Sequence, residues 1–299
     1  MARSNPYLPS HGMLKVDPVM TSFYLAACAV LRRAASIVSI VCLCMLPASA
    51  IEPKVSPAAY NMFSDREEAV LGKKFAAETD HRLVLLRNPA MVSYLEGIVK
   101  RLGAKSQRPE LTYHVAIVDS PQINAFSQPG GYLYVYRGLL NMSWNEGELA
   151  GMLAHEISHV VARHNMNRLS RHEVAMELAK RARMQGAQLE LTSHELGAWE
   201  GAFSRGEETE ADLLAFYTML RAGWQPSCLV SAFDGIQAFT GDPELVSQLL
   251  ATHPPTAERS RYLSQELKLA DPPATLRQDS EAFHLMKSLL RELPPPRGK

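Results

Sequence analysis

His155-Glu156-Ile157-Ser158-His159 is the stretch on which the reading turns. It is an H-E-x-x-H pattern inside Glu148 to Arg163, a strongly helical run. Residues four apart on an α-helix sit one turn apart and about 40° apart in azimuth, so His155 and His159 present two imidazoles to one point. Such a bite suits zinc. Glu156 lies on the flank of the same face, within reach of a water beside the ion. Five residues do not settle a function, because a helix with two satisfied histidines has the same pattern. The surrounding sequence has to decide.

Zinc needs a third protein ligand. The elongated pattern H-E-x-x-H-x-x-G-x-x-H is excluded, because Ala162 and Asn165 stand where it needs Gly and His. His164 falls on another face of the helix and reads as a structural or supporting residue. Further on, residues 204–212 read Ser-Arg-Gly-Glu-Glu-Thr-Glu-Ala-Asp and lead into an apolar helix. Glu208 and Asp212 share one face of it. On a helix crossing the first, Glu208 could reach the metal, and Asp212 could accept a hydrogen bond from the outer nitrogen of a ligand histidine. The competing reading is a solvated acidic cluster, since Glu207 and Glu210 are acidic too.

Composition bounds the alternatives. The 299 residues carry 31 basic and 31 acidic side chains, a balance that points to no nucleic-acid partner. Arg32 and Arg33 precede an apolar run from Ala34 to Leu46, followed by Ala48-Ser49-Ala50, the three-part pattern of a secretory signal. An uncleaved anchor, with membrane association through the N-terminus, is the other reading of residues 1–50. Leu25-Ala26-Ala27-Cys28 also resembles a lipoprotein cleavage box. Cys28, Cys42 and Cys44 lie in this leader, so cleavage leaves Cys228 alone and any metal must use His, Asp or Glu.

The expected fold is α+β: a small early sheet followed by a helical body. Residues 51–63 read as a linker, 64–270 as the metallopeptidase domain and 271–299 as a C-terminal helix and tail, with about the last fifteen residues frayed. Ser64 with Glu67 forms a capping box for a helix running to about Thr79. Asn88-Pro89 opens a second helix with Val92, Leu95, Ile98, Val99 and Leu102 on its apolar face. Leu111 to Val118 and Tyr132 to Tyr136 read as strands, and Asp119 to Gln122 as a turn. Further helices are expected near 170–185, 190–204, 206–222, 227–240 and 256–268. The stretch from Arg171 to Met184 reads as amphipathic and packed on the body, with a membrane surface or a lid as the other readings.

Four segments, in order, carry a resemblance. They are Asn124-Ala125-Phe126 with Pro129-Gly130-Gly131 and Arg137-Gly138-Leu139-Leu140; the H-E-I-S-H-V block ending in Arg163-His164; Ser204-Arg205 with Glu208 and Ala211-Asp212; and Thr252-His253-Pro254-Pro255-Thr256 with Arg259. Together they resemble the gluzincin zinc metallopeptidase family of the CAAX prenyl protease, HtpX and the periplasmic protease BepA. The resemblance spans about residues 64–268. It implies a zincin-like fold, one Zn2+ on His155, His159 and Glu208, and Asp212 supporting a ligand. It also implies that the strand after Gly131 is an edge beside the cleft, where a polypeptide substrate could add as a further strand.

The chemistry so implied is metal-assisted peptide hydrolysis, with Glu156 as general base. His253 and Arg259 are candidate donors to the oxyanion. His253 could instead terminate a helix, or ligate the zinc and plug the site at rest; Arg259 could instead hold an acid. The expected setting is the periplasm or extracytoplasmic envelope, with misfolded or unassembled envelope proteins as substrates. The alternative is a chaperone-like binder that keeps the fold without hydrolysis. Glu156 argues against it, since a binder has no use for that carboxylate. Two departures from the family stand out: no membrane span follows the leader, and the helical-repeat domain of BepA-like proteins is missing.

Overall fold

A computed structural model describes residues 53–55, 61–184, 202–253 and 257–297. The leader lies outside the described residues, as do residues 190–201 of the expected helix over 190–204.

Helix α1 (Asp65–Arg82) begins at the expected capping box, Ser64 and Glu67 each satisfying the other's backbone N–H. It runs one turn past Thr79. Helix α2 (Pro89–Gly103) starts at Asn88, whose Oδ1 accepts from the N–H groups of Ala90 and Met91 at 3.1 and 3.2 Å. Its buried face is Met91, Leu95, Ile98, Val99 and Leu102, with Val92 half-buried beside it.

The sheet holds β1 (His114–Val118), β2 (Ala125–Gln128) and β3 (Tyr132–Tyr136) in the order β1-β3-β2. β3 pairs parallel with β1 and antiparallel with β2. This corrects the expectation that the strand after Gly131 is an edge: β3 is central, with β1 and β2 outside it, and β2 is the strand that sequence reading missed. Four residues ending at Pro129 are too short to show an alternating pattern. The chain reverses between β2 and β3 at Gly130, φ 75°, a left-handed conformation that glycine adopts without strain. Side chains alternate across β3. Leu133 and Val135 join the main core, while Tyr134 and Tyr136 pack with Val118 on the opposite face.

After the short α3 (Arg137–Met142) comes α4 (Glu146–Val161), in which every residue is buried. It packs along α6 (Arg205–Ala222), α7 (Ser227–Gln237) and β2. The approach to α7 is close: a Cβ on Gly147 would stand 2.5 Å from the Sγ of Cys228. Between α4 and α6 runs α5 (His164–Met184), whose first turns are buried through Met166, Arg168 and Ser170. Val174, Met176 and Leu178 on it are 44%, 42% and 57% exposed, so this stretch is not packed on the body as expected.

Three expectations need correction at the C-terminal side. The helix expected over 227–240 ends at Gln237, and a separate α8 (Glu244–Thr252) follows. Residues 202–204 are not helical; Ser204 instead caps α6 through a second capping box with Glu207. After α9 (Ala257–Ala270), the expected C-terminal helix is α10 (Glu281–Glu292), which buries Phe283, Met286 and Leu290 and so stays ordered into the last fifteen residues, where fraying was expected. Its Lys287 Nζ donates to the carbonyls of Leu140, Asn141 and Ser143, the C-terminal end of α3.

The burial of α10 makes it part of the core. Phe283→Ala is therefore expected to lower unfolding free energy by about 3–5 kcal/mol. Urea denaturation of both proteins measures this, and an unchanged midpoint would show the helix to be dispensable.

Candidate metal centre

Helix α4 projects His155 and His159 from one face, and α6 crosses it so that Glu208 meets them. His253, directly after α8, completes a group whose donor atoms all lie within 4.8 Å of one another. His155 Nε2 is 3.0 Å from His159 Nε2 and 3.3 Å from His253 Nδ1. Glu208 Oε1 is 3.4 Å from His159 Nε2 and 2.9 Å from His253 Nδ1. A tetrahedral ion with donors at about 2.0–2.1 Å has edges of about 3.3 Å. The residues present therefore fit a small cation of that geometry.

Electrostatics point the same way. All four side chains are buried. Burial drives the His159 pKa well below its ordinary value, which keeps the ring neutral and its lone pair available. Burial alone would raise the Glu208 carboxyl, but hydrogen bonds to His159 and His253 outweigh it and hold Glu208 far below the usual carboxylate range. For His253, desolvation is overcome by the charge of Glu156 and by the hydrogen bond to Glu208, and its pKa rises.

Glu156 stands beside this group, 1% exposed, with His253 Nε2 at 3.7 Å from Oε1. Neither of its carboxylate oxygens has a hydrogen-bond partner among the described residues. Met152, Phe233, Ile236 and Leu249 form the apolar wall of a cavity of about 10 Å³ that also touches Glu156 and His253. That is room for about one water.

Asp212 Oδ1 lies 2.9 Å from His155 Nδ1, the outer nitrogen. Arg259 is placed where its alternative reading had it, holding acids. Its Nε and Nη2 each lie 2.7 Å from Asp212, its Nη1 lies 2.7 Å from Glu208, and it stacks over Phe233. Burial raises the Asp212 carboxyl, while the Arg259 charge and the His155 contact pull it down to a net lowering.

Sequence reading missed several contributors. Tyr262 donates its hydroxyl proton to Asp212. The signal was there, since Tyr262 follows Arg259 by three residues and shares its helix face. Phe203 stacks on His159, with centroids 3.9 Å apart, and its N–H is held by the Thr252 carbonyl. His164 was expected on another face, yet its Nδ1 lies 2.9 Å from His159 Nδ1. The reason is that α4 stops at Val161 and Arg163 takes a positive φ of 56°, which turns the chain back.

β2 runs beside the site. Tyr136 N donates to Asn124 O, which places Asn124, Phe126 and Gln128 in the pairs hydrogen-bonded to β3. The backbone groups of Ala125 and Ser127 therefore point away from β3. The Ser127 carbonyl accepts from Asn165 Nδ2 at 3.0 Å.

The sequence pattern of peptidase family M48 matches residues 89–267. The chain is 28% identical to a β-barrel assembly-enhancing protease of Yersinia pestis, over 70% of this chain and 46% of the other. It is 29% identical to the mitochondrial metalloendopeptidase OMA1 of Schizosaccharomyces pombe, over 71% and 62%. To the metalloprotease YcaL of Escherichia coli it is 27% identical, over 68% and 81%. The chain thus spans about half the length of the first of these relatives and less than two thirds of the second.

Arg259 is the cation nearest two buried carboxylates. Arg259→Ala is expected to destabilise the protein by about 3–5 kcal/mol, the usual effect of breaking a buried ion pair from one side. Arg259→Lys should recover only part of this, because an ammonium cannot bridge both oxygens of Asp212. Denaturation midpoints of the three proteins decide the matter; equal midpoints would refute it.

Proposed function

The chain belongs to peptidase family M48, and from that premise we propose that it is a zinc-dependent endopeptidase of misfolded or unassembled cell-envelope proteins. One observation carries the reading: four donor atoms converge beside a buried carboxylate that has no hydrogen bond among the described residues. His155, His159 and Glu208 are the residues that would hold the ion. The chemistry zinc supplies is polarisation of a carbonyl and acidification of water. Glu156 takes the proton of the attacking water on one carboxylate oxygen and returns it to the leaving amine.

His253 is the fourth member of the donor group, and a catalytic zinc needs that position open. We assign His253 to closing the resting site rather than to holding the oxyanion. Arg259 already serves Asp212 and Glu208, which makes it a positioning residue.

The substrate reading rests on β2. A polypeptide adding as an extended strand would pair with the outward groups of Ala125 and Ser127, displacing Asn165 from the Ser127 carbonyl. The envelope setting rests on the leader pattern and on the names of the assembly-enhancing proteases among the relatives. No described helix is long and apolar enough to cross a membrane, so membrane association would fall to the N-terminal segment.

The test uses purified protein and an unfolded substrate such as casein. The wild type should hold one zinc per chain and cleave. Glu156→Gln should keep the zinc and lose about a hundredfold or more in kcat/KM. Cleavage by both proteins at equal rates removes Glu156 from its role. His253→Ala should raise the rate; a fall would make His253 catalytic.

A further inference from the structure

We propose that His164 and Glu210 form a histidine–carboxylate relay that orients His159 toward the metal; the inference rests on the metal-site reading above. His159 Nδ1 lies 2.9 Å from His164 Nδ1, and His164 Nε2 lies 3.3 Å from Glu210 Oε2. The three side chains run outward from the site, 0%, 2% and 20% exposed in that order.

The direction of each hydrogen bond follows from the chemistry of imidazole. A ring that offers Nε2 to a cation carries its proton on Nδ1. That proton needs an acceptor, and His164 Nδ1 is in place to be one. It accepts only if His164 carries its own proton on Nε2, and Glu210 is what that N–H meets. One carboxylate thereby sets the tautomers of two rings in series. His155 reaches the same end in one step through Asp212. The two supports differ in setting. Asp212 is fully buried and clamped by Arg259 and Tyr262, whereas Glu210 is one-fifth exposed and open to competition from water.

The backbone is bent to make this contact. In a straight helix His164 would sit about 140° around the axis from His159. The left-handed Arg163 removes that separation, and strain of this kind persists only where other contacts hold it. Here Arg163 Nε lies 2.9 Å from the buried Glu68, Nη1 lies 3.3 Å from Asp65, and Nη2 donates to the Phe63 carbonyl at 2.8 Å. The entry to α1 is thus tied to the turn that aims His164.

Cobalt(II) is the probe, titrated into metal-free full-length protein in competition with a chelator, with the visible spectrum recorded. His164→Leu should weaken cobalt binding about tenfold to a hundredfold and change the spectrum. His164→Gln, whose amide oxygen can accept the His159 proton, should restore most of the affinity. Glu210→Ala should weaken binding less than His164→Leu, and it remains informative if the leucine variant does not fold. Wild-type affinity in both His164→Leu and Glu210→Ala overturns the relay. So does failure of His164→Gln to rescue, with the metal-free unfolding midpoints falling in parallel with affinity, because the role is then structural. Wild-type protein that binds no cobalt overturns the metal reading itself, and the relay with it.

Discussion

Glu208 and Asp212 sit one turn apart in the middle of a helical body, where their partners hold both carboxyls below the usual range. Isolated carboxylates so deeply buried would be very costly. Arg259 makes the arrangement tenable. Its planar fork spans both oxygens of Asp212 and touches Glu208, and its flat face rests on Phe233. The crossing of α4 and α6 depends on this neutralisation. Without it the second helix could not bring two acids against the histidines of the first. With it, one acid faces the donor group and the other faces the outer nitrogen of His155. The negative charge of Glu208 then matches a cation, while the neutral His159 ring beside it supplies a lone pair.

Much of the site was legible because its spacing is local. His155 and His159 share a helix face by simple periodicity, as do Glu208 and Asp212. The caps at Ser64 and Asn88 and the strands β1 and β3 were legible for the same reason, since each is written in a handful of neighbouring residues. That α6 would cross α4 with Glu208 facing inward came from family resemblance, since no periodicity reports how two helices meet.

What escaped had non-local or backbone causes. The order of the strands depends on pairing between segments, so β3 was read as an edge although β2 lies outside it. His164 was misplaced because a straight helix was assumed, and a positive φ at a non-glycine residue leaves no mark in composition. Glu210 looked like one more surface acid, since only the turned His164 gives it a partner in the site. The C-terminal helix was expected, but its second half was read as frayed because of the prolines that follow. Yet Phe283, Met286 and Leu290 hold the i, i+3, i+7 spacing of a buried face.

The N-terminus of the metal-bearing helix is finished by residues from far along the chain. Gly147 N donates to the Gln278 carbonyl, Glu146 N donates to Asp279, and the Glu146 carboxylate receives Arg277, Ser280 and the Trp224 indole. A ribosome makes the histidines well before this cap. During synthesis, then, the helix that carries both histidines has only its local Asn145 cap and waits for these distant partners. Those partners arrive only once Arg277 to Ser280 have been made, so the order of synthesis times the completion of this helix.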